Sequence, residues 1–97
     1  MSEPQAGFDA YHPSGHLLFR SCHGGYLHSV ILGEEALAAD VRVLAAGVLL
    51  AAEVSHLRAV MEIRRELIDA GFSPSEDIPT PEELDRAEAT LAEHRLT

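Results

Sequence analysis

Two hydrophobic periods run along this chain, and the change from one to the other falls near residue 33. In residues 16–22, Leu17 and Phe19 alternate with His16, Leu18 and Arg20 over a short span, which predicts a strand. Residues 25–32 are rich in Val, Ile and Tyr and predict a second strand, joined to the first by His23-Gly24-Gly25. Paired glycines reach the positive φ angles that tight hairpin turns require. A third, short strand is expected over residues 8–11, because His12-Pro13-Ser14-Gly15 after it has the composition of a turn.

Beyond residue 33 the period becomes helical. Residues 33–39 are rich in Ala and Glu but lack a cap, leaving them between loop and first helical turn. Asp40 is a strong N-cap, the pattern runs without proline from Val41 to Ala70, and Gly71 supplies the stop, so one helix is predicted over 40–70. Its second half places Val54, Leu57, Met61 and Ile68 near one face, with Val60, Ile63 and Leu67 beside them. Its first half is apolar nearly all round, which predicts contact with two surfaces rather than one. Gly47 within that half would let a neighbouring backbone approach closely. Thirty residues of helix reach roughly 45 Å, against a diameter of about 32 Å for a compact chain of this length. The overhang predicts a homodimer or a covering partner, with Leu44, Val48, Leu50, Val54, Leu57 and Met61 as the candidate interaction surface. Asp at Leu50 and Leu57 is then expected to abolish assembly.

Residues 72–79 read as a proline-containing linker, and Thr80-Pro81-Glu82-Glu83 opens a last helix predicted over 81–94. Thr80 caps it, Pro81 suits the first turn, and Glu83 completes a capping box. Leu84, Ala87 and Leu91 form one stripe that must dock, since so short a helix is marginal alone. His94 and Arg95 would face the negative end of its dipole. The expected fold class is α+β: an antiparallel hairpin or three-stranded meander, a long helix and a shorter C-terminal helix. Residues 1–7 are expected to be mobile and 8–97 to form one domain.

Charge narrows the choice of partner. Sixteen acidic residues against seven basic ones give a net charge of -9, which repels phosphate backbones, so nucleic acid is an unfavoured partner. The longest apolar run, residues 43–52, is ten residues and falls short of the roughly 20 needed to span a bilayer. Membrane insertion is therefore not expected. The first residues carry no basic segment followed by an apolar one, which is not the pattern of a secretory signal, and Cys22 is the single cysteine. The expected location is cytoplasmic.

No catalytic constellation emerges. His12, His16, His23 and His28 crowd the strand region, and His16 and His28 could share a face, but no HExxH or CxxC spacing accompanies them. They read as ordinary strand and turn residues. Cys22 and His23 are neighbours that a strand would point to opposite faces. The pairs Glu34-Glu35 and Glu82-Glu83 read as solvated and helix-terminal charges. The expectation is a non-enzymatic interaction protein without metal or cofactor.

The order of hairpin, long helix, linker and Thr-Pro-Glu-Glu helix resembles the EspD and EspH accessory proteins of mycobacterial type VII secretion. The residues that carry it are Gly25-Tyr26-Leu27-His28-Ser29-Val30-Ile31-Leu32, Asp40, Leu44-Ala45 and Ile78-Pro79-Thr80-Pro81-Glu82-Glu83. This chain lacks the family's acidic N-terminal extension and has Ile31 where the family has Glu, as in a short relative. The resemblance implies a chaperone-like adaptor that stabilises or delivers secreted substrates inside the cell. A more distant likeness to the dimeric YbaB fold keeps a nucleoid-associated protein as the alternative.

Overall fold

The computed structural model describes residues 8–22 and 27–96. The stretch 1–7 and the His23-Gly24-Gly25 turn lie outside the described residues. Strands β1 (Phe8–Tyr11), β2 (Leu17–Ser21) and β3 (Leu27–Leu32) are followed by helices α1 (Glu34–Ala38), α2 (Val41–Asp69) and α3 (Pro81–Glu93). The strands form one antiparallel sheet in the order β1-β2-β3, the α+β meander expected from the sequence. Ala10 pairs with Phe19 across β1 and β2, and Leu17 with Leu32 across β2 and β3.

Alternation along the strands gives the sheet an inner and an outer face. Leu17 and Ser21 point inward and are buried, while Arg20 forms a two-pronged ion pair with Asp9 on the outer face. The inner face of β1 and β2 lies against α2, and α3 packs on α2 as well. Ala10, Leu17, Ala51, Val54, Leu57, Ala87 and Leu91 make the core where the three meet. Each larger aliphatic side chain there contributes about 2 kcal/mol by leaving water.

One polar contact crosses this core. The Ser55 hydroxyl, fully buried on α2, bonds the Phe8 carbonyl and the Ser21 hydroxyl at 2.6 Å. Ser55→Ala would leave two sheet oxygens buried without that partner, and the expected cost is about 2 kcal/mol. Chemical denaturation would measure it; a neutral substitution would mean that the sheet and α2 are not held by this bond. Arg58 on α2 adds a second tie, donating to the Asp9 carbonyl and gripping Glu88 of α3 at 2.7 Å.

The helix ends follow the sequence signals closely. Asp40 accepts the Arg42 amide at 2.9 Å, and α2 stops in a motif where Gly71 takes φ +92°, Gly71 N–H bonds the Ile68 carbonyl and Phe72 N–H the Leu67 carbonyl. Thr80 and Glu83 form both halves of the capping box. The ambiguous residues after Gly33 form α1, which closes over Ala36.

Twenty-nine residues of α2 span roughly 43 Å, close to the 48 Å longest dimension of a molecule only 15 Å thick. The radius of gyration, 14.5 Å, exceeds the roughly 12.5 Å of a compact chain of this length. The helix is long and apolar enough to cross a membrane by length and composition. That exceeds the ten-residue run on which the sequence expectation rested; about a third of the helix's most apolar stretch is buried in the protein, Ala51, Val54 and Ala59 among it.

Candidate interaction surface

The six residues that sequence periodicity nominated for contact with another chain lie on the inward half of α2. Val54 and Leu57 are in the core, and Leu44, Val48 and Leu50 pack against it. Met61 is half-buried and lines a shallow apolar hollow with Arg64, Ile68 and Pro81. The interior therefore occupies the stripe that periodicity marked most strongly, because α3 and the sheet both compete for it.

The opposite side of the first half of α2 is uncovered. Arg42, Ala45, Ala46, Leu49 and Glu53 are all exposed, with Leu49 71% accessible; Val41, the first residue of the helix, is 77% accessible on a different bearing. Leu37 of α1, 68% accessible, precedes this face in the chain. The apolar all-round composition of residues 43–52 thus resolves into one half used by the core and one half left to solvent. On the sheet, Tyr11, Leu18 and Ile31 form a second row across the outer face, with Tyr11 and Ile31 more than half exposed.

A histidine pair with one ring buried, invisible to local sequence reasoning, closes the other end of the sheet. His12, 2% exposed, follows β1, and His94 ends α3. His12 Nδ1 accepts the Ser14 amide at 3.0 Å, so its proton sits on Nε2 and is donated to His94 Nδ1 at 2.8 Å. The rings meet edge to face over Gly47, where a Cβ would stand 3.1 Å from His94 Cε1. Gly47 thus admits two side chains rather than the neighbouring backbone expected from the sequence. His94, expected to oppose the α3 dipole, turns away as the C-cap to meet His12.

Burial, the neighbouring His94 and the Arg95 guanidinium hold the His12 pKa below its usual value, with Glu35 opposing them. A histidine whose folded pKa is depressed contributes stability that is present above its unfolded pKa, about 6.5, and is lost as pH falls through the folded value. The thermal midpoint is expected to drop on acidification from pH 7.5 to pH 5, and to drop less in His12→Phe. Equal slopes for the two proteins would show that His12 is not the group responsible.

Among the described residues, no group of three or more His, Cys, Asp or Glu side chains could hold a metal ion. The side chain of His28 lies outside the described ones, and the pairing that does form is His12 with His94 across 82 positions. Cys22 is a free, half-buried thiol. The polar groove between α2 and α3, lined by Glu53, His56, Glu83, Arg86 and Thr90, holds about 340 Å³ and is open.

Comparison with known proteins places this architecture in one family and gives no activity to it. The chain is 47% identical to uncharacterized protein Mb0029 of Mycobacterium bovis over 96 residues, which is 99% of this chain and 95% of the relative. It is equally similar, over the same shares, to uncharacterized protein Rv0028 of Mycobacterium tuberculosis. No solved structure matches it. The family described as a protein of unknown function, DUF2694, matches all of residues 1–97, and this chain belongs to that family.

Proposed function

We propose that this protein is a non-enzymatic interaction module whose partner lies along the outer side of the first half of α2. One observation carries the reading: Leu49 stands 71% exposed among exposed Arg42, Ala45, Ala46 and Glu53, on a helix whose other side is filled by the sheet and α3. A large aliphatic side chain left in water between alanines on a rigid helix offers a partner an apolar seat. A chaperone-like adaptor for type VII secretion, acting in the cytoplasm, is the finer form of this proposal. It rests on the resemblance in element order and in the Thr-Pro-Glu-Glu motif.

The nucleoid-associated alternative needs a basic patch, and three of the arginines that could supply one are engaged by carboxylates. Arg20 is paired with Asp9, Arg58 with Glu88 and Arg65 with Glu62, which weighs against phosphate contact.

Affinity capture from a mycobacterial lysate with the wild-type protein and with Leu49→Asp tests the proposal. The wild type is expected to retain a specific protein, with secretion components among those recovered if the finer form is right, and Leu49→Asp is expected to lose it. Equal recovery by the two would overturn the assignment of this face.

A further inference from the structure

We infer that the occupant of the exposed α2 face is a second copy of the same helix, packed antiparallel about a two-fold axis between residues 47 and 48. The inference deepens the proposal above and rests on its choice of face. Arg42, Ala46, Leu49 and Glu53, spaced four, three and four residues apart, fall within about 60° of one another on a 3.6-residue helix. All four are exposed. Their order is self-complementary, since Arg42 and Glu53 lie equally far from the point that also bisects Ala46 and Leu49.

Turning one helix over about that point puts Arg42 of each copy opposite Glu53 of the other. It also seats each Leu49 on the Ala46 of its neighbour. A two-fold contact must use one patch on both sides, so that residue i meets j and j meets i, and this stripe satisfies the condition with charge as well as shape. A parallel pair would instead set Arg42 against Arg42 and Glu53 against Glu53. Ala45 and Ala46 add little bulk, so the two backbones approach closely, and Leu49 provides the apolar contact at the centre. Among the described residues no ion pair engages the side chains of Arg42 or Glu53, so both are free to be used between copies. In a chain of net charge -9 this stripe carries one positive and one negative group. Two copies therefore meet here without the repulsion that the acidic surface elsewhere would impose.

Charge reversal and its rescue test the arrangement. Sedimentation equilibrium of the wild type, Arg42→Glu, Glu53→Arg and the double reversal would be compared, with circular dichroism to verify that each is folded. The wild type is expected to dimerise. Each single reversal creates two like-charge contacts by symmetry and is expected to raise the dissociation constant about tenfold, and the double reversal to restore it. A dimer indifferent to both reversals, or one that the double reversal fails to restore, overturns this geometry and leaves the interaction face itself standing. A monomer at all concentrations overturns the self-association, while capture of a different protein that depends on Leu49 would still sustain the broader reading.

Discussion

Leu57→Asp is expected to unfold this protein, while Leu49→Asp, on the same helix, is expected to leave it folded and unable to hold its partner. Leu57 is 7% exposed in the cluster formed with Val54, Ala87 and Leu91. Removing it forfeits about 2 kcal/mol of apolar burial, and the carboxylate that replaces it must be desolvated against Val54, Ala87 and Leu91, which costs several kcal/mol more. The sum approaches the roughly 5–15 kcal/mol by which a domain of this size is stable. Leu49, at 71% exposure, loses almost nothing intramolecular, and its replacement should shift stability by no more than about 0.5 kcal/mol. Far-UV circular dichroism on heating separates the two cases. A cooperative transition in Leu57→Asp at the wild-type midpoint would mean that α3 does not dock as described. The result also reverses the purpose of an acidic residue at position 57: it reports on the fold, and position 49 reports on assembly.

Leu17→Ala is expected to lower stability by about 3 kcal/mol, the middle of the range for emptying a buried leucine site. Leu17 is 1% exposed on the central strand, in one cluster with Ala10, Ala51 and Val54. Two of those neighbours are alanines, too short to swing into the space, so the cavity would persist. The thermal midpoint of a domain this size moves about 4–8 °C per kcal/mol, which makes the expected drop about 12–24 °C. Ile31→Ala on the outer face, where the side chain is 54% exposed, is the control and should cost about 0.5 kcal/mol or less. Similar losses at both positions would mean that the sheet does not present Leu17 and Ile31 to different environments.

Separating the two sides of α2 explains why the sequence read so well in one respect and misled in another. Helix ends depend on residues within a turn of each other, so Asp40, Gly71 and the Thr80-Glu83 pair marked them without reference to the rest of the molecule. The strand positions followed from alternation in residues 16–22, β-branched and aromatic content in 25–32, and the glycine- and proline-containing turns beside them. Residues 43–52 were different, because an apolar residue at every bearing around a helix carries no information about which bearing is inside. Leu50 and Leu49 look alike in the sequence; one packs against the core and the other projects into solvent.

The sequence by itself determined the element order, the three helix caps and stops, and the length of α2 and hence the elongated shape. These are properties of contiguous residues, fixed by backbone hydrogen bonding and side-chain period. Tertiary structure alone decided which half of α2 is buried, since that depends on where β1, β2 and α3 come to lie. It also decided that His12 meets His94 over Gly47 and that Ser55 reaches Ser21 and Phe8. Partners so distant along the chain leave no local spacing to read, because their proximity is produced by the packing of the core between them.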